Sequence, residues 1–227
     1  VPEESTEQPA RQPETAALPE QAAGELWLDL CAGPGGKAAL LGALAAGRGA
    51  TLVANEPQAH RAELVRQTCR ALPEGVVEVY EVDGRDVDEF DSATFDRVLV
   101  DVPCTGLGAL RRRPESRWRH TPTDLSSLTP LQLELLEAGL AAARPGGLVA
   151  YSTCSPHIAE TRLLVSDFMA AHADELELVK LENLGLPDDA IQPDGTCQLW
   201  TDLHHTDSLF LAIFRRLTPS SDTPVTD

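Results

Sequence analysis

The chain has 227 residues, enough for one α/β domain with a substantial core. Its 18 Lys plus Arg stand against 36 Asp plus Glu, and a net charge of −18 excludes nucleic-acid binding over the whole surface while leaving room for a local basic patch. Five cysteines with no CxxC and no zinc spacing favour free thiols in a reducing, cytoplasmic setting without a metal. No apolar run reaches the roughly 20 residues of a membrane helix, and no basic-then-apolar leader opens the chain. Because the first residue is Val1, the expectation is a fragment of a longer protein.

Residues 1–24 are rich in Pro, Glu, Gln, Thr and Ala and read as a disordered linker; 25–218 read as the folded domain, and 219–227 as a polar tail. Order begins with the apolar stretch Leu26 to Leu30, then Cys31-Ala32-Gly33-Pro34-Gly35-Gly36-Lys37, then a helical pattern from Ala38 to Ala46. Strand, glycine loop and helix make the first unit of a nucleotide-binding α/β fold, where a ligand approaches the backbone closely and helix amides receive polar groups. The loop is neither G-x-G-x-x-G nor a Walker loop, so a plain tight turn stays open.

Thr51 to Glu56 is the second strand, and its acid lies about twenty residues past the loop, where dinucleotide folds place a carboxylate for ribose hydroxyls. Pro57 opens a helix that runs to about Leu72, with Leu64, Val65 and Cys69 inward. Val76 to Asp83 is the third strand; Asp83 is a candidate for a base-edge or amine contact, or a helix cap.

Phe95 to Cys104 is the fourth strand, followed by a flexible Gly106-Leu107-Gly108 loop. Next come Arg111, Arg112, Arg113, Arg117 and Arg119 around Trp118, a dense cationic cluster that opposes the overall charge. Arginines around a Trp suit phosphate contacts and base stacking, with a solvated loop as the alternative. Leucines at three- and four-residue steps predict a helix over 122–143, ended by Arg144-Pro145-Gly146-Gly147. The fifth strand leads to Tyr151-Ser152-Thr153-Cys154-Ser155-Pro156, and 157–172 read as a helix. Strands follow at 176–181, 197–203 and 209–217, the last two as a hairpin whose turn holds His204-His205 and Asp207. The fold expected is α/β: a doubly wound, mainly parallel, Rossmann-like sheet of seven strands with an antiparallel edge.

Cys104 and Cys154 both stand at strand ends, where open α/β sheets place their chemistry. They read as one active site beside Asp101, or as two small buried hydrophobes.

Three motifs, Asp29 to Lys37, Asp101-Val102-Pro103-Cys104-Thr105-Gly106-Leu107-Gly108 and Tyr151 to Pro156, resemble the Rsm/Nop/Sun RNA cytosine methyltransferases. These use S-adenosylmethionine (SAM) and make 5-methylcytosine. Arg111 to Trp118 and the following Leu-rich helix look most like the bacterial RsmB branch, which modifies small-subunit (16S) ribosomal RNA. The resemblance spans about Leu26 to Leu217. It implies that Cys154 is the nucleophile and that Cys104 assists product release. It implies that Asp101 lies near the methyl group and the target base, and that Glu56 binds the SAM ribose. Asp83 then lies on the adenine side, Arg85 joins the cofactor-binding residues, and the Cys31 to Lys37 loop takes the methionine portion. Arg111, Arg112, Arg113, Arg117 and Trp118 are the expected RNA contacts. The implied protein is a cytoplasmic, monomeric enzyme with RNA as partner and no membrane. Val102, Thr105 and Gly33 replace residues that are usually Ala, Ser and Ala in the family, and leave the reactive groups in place.

The chemistry suits these residues. Carbon 5 of cytosine is a poor nucleophile, and thiolate addition at carbon 6 turns the ring into a reactive enamine. A carboxyl such as Asp101 stabilises charge at ring nitrogen 3, and Cys104 helps remove the carbon-5 proton directly or through water. A DNA-type enzyme would use Cys104 as nucleophile instead. An amino-group methyltransferase expects an aromatic residue at position 104, and a non-catalytic RNA-binding protein would tolerate loss of Cys154.

Overall fold

The apolar stretch Leu26–Asp29 forms strand β1, and its alternation decides the architecture. Trp27 points into one core and Leu28 into another, and both are almost completely buried. A strand buried on two faces needs helices on both sides. The computed structural model describes residues 24–86, 93–119, 121–182 and 184–218. After β1 come α1 (Gly36–Ala46), β2 (Thr51–Asn55), α2 (Ala59–Cys69), β3 (Val77–Tyr80) and β4 (Phe95–Asp101). Then follow α3 (Ser116–Arg119), α4 (Pro122–Ala142), β5 (Ala143–Thr153) and α5 (Arg162–Ala171). The chain continues through β6 (Leu176–Leu178), β7 (Cys197–Leu199), α6 (Thr201–His204) and β8 (Leu209–Arg216). The linker expected at 1–24, apart from Gly24, and the tail expected at 219–227 lie outside the described residues.

The sheet order is β3-β2-β1-β4-β5-β8-β6. β1 to β5 run parallel, and β8 is antiparallel to β5, β6 and β7. This is the expected doubly wound α/β sheet with an antiparallel edge, with one correction: among the described residues it holds eight strands, not seven. β5 occupies one side of β8, so β6 and β7 share the other, β6 on Phe214–Arg216 and β7 on Leu209–Leu211.

Leu52 and Ala54 join Trp27 against Ala38 and Ala45 of α1 and Val65 of α2. On the opposite face Leu28, Val98, Val100 and Val149 meet Leu135 and Leu136 of α4 and Leu164 and Phe168 of α5. Phe168 stacks edge-on against Phe214 at 5.3 Å between ring centres, fixing α5 over the antiparallel edge.

Several boundaries differ from the sequence reading. β4 ends at Asp101, so Cys104 sits on the loop beyond it. α2 buries Ala62, Val65 and Cys69, a stripe at three- and four-residue steps, which turns Leu64 outward. The strand expected over 176–181 stops at Leu178, and the one over 197–203 stops at Leu199. There the His204 Nδ1 accepts the Trp200 backbone N–H at 2.8 Å and caps the short helix α6. The helix expected from His157 starts only at Arg162, after a 3-10 turn over Ile158–Glu160.

Candidate active site

Strand order reverses between β1 and β4, and ligands of open α/β sheets bind in the crevice beyond the carboxyl ends of strands at such a point. The register brings the chemistry there. Asp29 is the last residue of β1, and Asp101 the last of β4, paired with Ser152 of β5. The loops leaving β4 and β5 therefore start side by side, and Cys104 meets Cys154 with 3.4 Å between sulfurs.

The two thiols do not share their proton equally. Cys154 is held below the ordinary thiol range chiefly by the hydrogen bond from Cys104, with Lys37 assisting and burial and Asp101 opposing. Cys104 is pushed up by the same contact and by burial. Within the pair Cys154 is therefore the thiol that gives up its proton more readily, with Cys104 as its donor. Cys31 is also raised, first by burial and then by surrounding carboxylates, and stays protonated.

Lys37, one residue into α1, reaches across the crevice to Asp101 at 2.6 Å. Asp29 below them is fully buried, and its carboxylate oxygens make no hydrogen bond of full geometry, the Cys31 backbone N–H giving only a weak contact. Burial, reinforced by the Asp101 charge, pushes its pKa up to about 7. A buried carboxyl with weakly engaged oxygens at the mouth of a glycine loop is a ready acceptor for a cationic ligand group.

The loop itself is held by backbone bonds from Ala32 N–H to Asn55 and from Gly35 N–H to Ala32, both 2.8 Å. Gly35 has φ +111°, a conformation that favours glycine, and this turn feeds α1. A β-carbon at Gly36 would meet nothing within 4 Å, so the amino end of the helix is open to a ligand. A β-carbon at Gly33 would fall 2.1 Å from a Glu56 oxygen. Glycine at 33 thus makes room for the Glu56 carboxylate, which accepts the Gln58 N–H at 3.0 Å and pairs with Arg61 at 3.3 Å. Arg61 also donates to the Gly33 carbonyl at 2.8 Å.

Asp83 is exposed and gripped by Arg85 through its backbone N–H and its guanidinium, which hold its pKa at about 2. Arg85 continues to Glu134 of α4 at 2.9 Å. These three residues, with Asp86 and Glu137, line an open groove of about 640 Å³ between the turn after β3 and α4.

The arginine loop is divided. Arg112 and Arg111 pair with Asp207 at 2.6 and 3.7 Å, which ties the loop to the chain before β8. Arg113 and Arg117 meet no carboxylate within ion-pair distance among the described residues, and Trp118 is 77% exposed.

Four residues without an assigned role in the sequence reading shape this site. Asn55, fully buried, donates to the carbonyls of Leu30 and Val82 and accepts the Val82 N–H, tying together the ends of β1, β2 and β3. Arg61 covers Glu56. Gln132 and Glu160 meet beneath the cysteine loops at 2.9 Å. The polar Gln132 within a leucine stripe was a visible signal; Glu160, one acid in a mixed segment, was not.

A glycine loop, strand-end carboxylates and a reversal of strand order define the class: a Rossmann-like, SAM-type methyltransferase fold. A methyltransferase homolog protein from Pyrococcus horikoshii has the same fold, with a TM-score of 0.67 and 28% identity over 86% of this chain and 62% of that one. NSun6 from Pyrococcus horikoshii, solved with SFG, shares the fold at a TM-score of 0.72 and 22% identity, covering 86% and 48%. The sequence model described as 16S rRNA methyltransferase RsmB/F matches residues 16–215, and the chain belongs to that family. A Mycobacterium tuberculosis protein named only as a methyltransferase is 53% identical over 193 residues, 85% of this chain and 41% of the relative. Ribosomal RNA small subunit methyltransferase F of Shewanella frigidimarina is 28% identical over 205 residues, 90% and 42%. The chain thus spans about two fifths of the length of these curated relatives.

Proposed function

We propose that this chain is the catalytic part of a SAM-dependent methyltransferase that makes 5-methylcytosine in small-subunit ribosomal RNA through a covalent cysteine–cytosine intermediate. The observation that carries the reading is the contact between Cys104 and Cys154 at 3.4 Å, beside the Lys37–Asp101 pair. A lowered thiol held by a second thiol is what attack and later release at one carbon pair require.

The crevice fits SAM. The open amino end of α1 offers amides to a carboxylate, and the buried Asp29 oxygens offer acceptors to an ammonium group. Glu56 would take the ribose hydroxyls once Arg61 swings aside, and Asp83 with Arg85 would border the adenine side. When bound, SAM supplies an electrophilic methyl group on its sulfonium.

Cys154 adds to carbon 6 of an unstacked cytosine, forming a carbon–sulfur bond and shifting the electron pair toward ring nitrogen 3. The Lys37 ammonium, held in place by Asp101, offsets that charge. Carbon 5 takes the methyl group, a base removes its proton, and the returning electron pair expels the Cys154 thiolate. Cys104 serves in proton removal directly or through a water.

The test is incubation of the full-length protein with small-subunit ribosomal RNA and methyl-labelled SAM, then mapping of the label. Label on carbon 5 of cytosine is expected; label on another atom or base overturns the reading.

Among the described residues Arg113 and Arg117 have no ion pair and Trp118 is exposed, and these are the RNA contacts we expect to matter most. Replacing Arg113 and Arg117 by Ala should flatten the salt dependence of RNA binding by roughly one to two units of log–log slope. Replacing Trp118 by Ala should cost about 1–3 kcal/mol if it stacks on a base. Arg111→Ala and Arg112→Ala should change the slope less, because both already face Asp207. An unchanged slope in the Arg113/Arg117 variant would show the loop to be a solvated surface.

A further inference from the structure

Beneath the two cysteines lies a polar hub that the proposed chemistry does not use. Glu160 is fully buried, at the end of the 3-10 turn before α5. Its Oε1 accepts the Thr105 backbone N–H and the Gln132 side-chain amide, both at 2.9 Å. Its Oε2 accepts the Thr105 hydroxyl at 2.6 Å and the Ser155 hydroxyl at 2.5 Å. Thr105 follows Cys104 directly, and Ser155 follows Cys154 directly. One carboxylate therefore ties the residue after each cysteine.

The rest of the hub tightens this clamp. Gln132 uses its second amide hydrogen on the Pro103 carbonyl at 2.9 Å, on the other side of Cys104. Its own oxygen is buried with no partner, so the side chain is held in place by its donations alone. Tyr151, three residues before Cys154, donates its hydroxyl to the Glu160 carbonyl at 2.7 Å. Ser155 also accepts the His157 N–H at 3.1 Å. Burial works against the Glu160 charge, yet the donors outweigh it and the carboxyl stays ionised below its ordinary range.

We propose that Glu160 is a positioning residue: its carboxylate binds the two cysteine-bearing loops to each other and so keeps the Cys104 and Cys154 sulfurs in contact. This rests on the reading of Cys154 as nucleophile only for its consequence, not for its geometry. Glu160 acts through Cys104. Without the clamp the two loops keep their backbone bonds from Val102 to Ser152 and from Gly108 to Cys154, but the Cys104 thiol is held less firmly against Cys154, and the main donor to Cys154 is weakened. The other charged groups that influence Cys154, Lys37 and Asp101, stand on α1 and β4 and do not depend on the hub. The Thr105 hydroxyl makes the same bonds a Ser would, which accounts for the tolerance of Thr at this position.

The test is E160Q, in which one acceptor oxygen becomes an amide donor facing donors. Alkylation of the 227-residue chain by iodoacetamide, followed peptide by peptide across pH, reads the Cys154 thiolate directly. In E160Q the Cys154 midpoint should move up toward the ordinary thiol value of about 8.5. Its alkylation rate at pH 7 should fall about tenfold, since the thiolate fraction sets the rate. In the full-length enzyme kcat should fall with KM for SAM unchanged. Should E160Q not fold, T105A and S155A each remove one strut and should move the midpoint in the same direction by less. A folded E160Q, or both T105A and S155A, with the wild-type Cys154 midpoint would overturn the proposal. The thiol titration and formation of the RNA adduct are separate readouts: an unmoved midpoint sinks the clamp, and a missing adduct sinks the nucleophile.

Discussion

Cys154→Ala should abolish methyl transfer and leave no covalent species with RNA, whereas Cys104→Ala should accumulate a protein–RNA adduct that survives a denaturing gel. The asymmetry follows from the roles the two thiols take at 3.4 Å. Removing the attacking sulfur removes the intermediate, so activity should fall by several orders of magnitude, as for other nucleophiles. Removing Cys104 deprives the intermediate of its release group, and turnover stalls after methyl transfer. The same substitution takes away the donor that lowers Cys154, so attack in Cys104→Ala should need a higher pH. Adduct formation should therefore rise between neutral pH and about pH 9 in that variant. An adduct in Cys154→Ala and none in Cys104→Ala would reverse the assignment.

The fold was largely legible because its signal is local. Leu26 to Asp29, Thr51 to Asn55 and Phe95 to Asp101 are buried strands flanked by amphipathic helices, and apolar runs of that kind read directly from sequence. Failures came where a side chain or a partner decided the backbone. His204 capping Trp200 ends β7 early, and no propensity pattern carries that information. Eight strand segments were legible in the sequence, including the one that becomes β7, but that all of them join one sheet, with β7 on the same side of β8 as β6, is a long-range outcome that shows only in the fold. Leu64 was misplaced because its neighbour Val65 competes for the same helix face, and the register decides for Val65.

The candidate site was legible as a set of residues and not as a device. The sequence places Asp101, Cys104 and Cys154 at strand ends, but only the parallel register of β4 on β5 brings the cysteines into contact. What divides the proton between them is that contact, a distance no spacing rule encodes. Asp29 read as one letter of a motif; its two oxygens are left without a full hydrogen bond only when the strand is buried between β2 and β4. The five-residue arginine cluster read as uniform, and folding splits it, because Asp207 lies 95 positions away from Arg112. Glu160 was hidden for the same reason: its partners come from residues 28 and 55 positions distant.

Gly108→Ala should be the most damaging of the single-methyl changes near the site. The sequence reads Gly106-Leu107-Gly108 as a flexible loop, yet the structure shows a 3-10 turn over Leu107–Ala109 with Gly108 buried. Gly108 donates its N–H to the Cys154 carbonyl at 2.8 Å and accepts the Ser208 N–H at 3.0 Å, so it joins the nucleophile loop to the start of β8. A β-carbon there would lie 2.2 Å from the Ser208 carbonyl oxygen and 2.6 Å from that of Cys154. Both obstacles are backbone, so neither can swing away as a long side chain would. Relief requires separating the turn from Cys154 or from β8, which breaks one of the two bonds and leaves a buried carbonyl short of its donor. We expect a loss of about 2–4 kcal/mol, read as a melting temperature lower by roughly 5–15 °C for a domain of this size. Activity should fall further than SAM affinity, because the displaced group is the Cys154 backbone and the glycine loop is untouched. Gly106→Ala is the control: its φ of +66° carries strain of about 1–2 kcal/mol, but a β-carbon there meets nothing within 4 Å. That variant should keep the Cys154 alkylation rate. Wild-type melting and wild-type activity in Gly108→Ala would show that the turn does not fix the nucleophile loop.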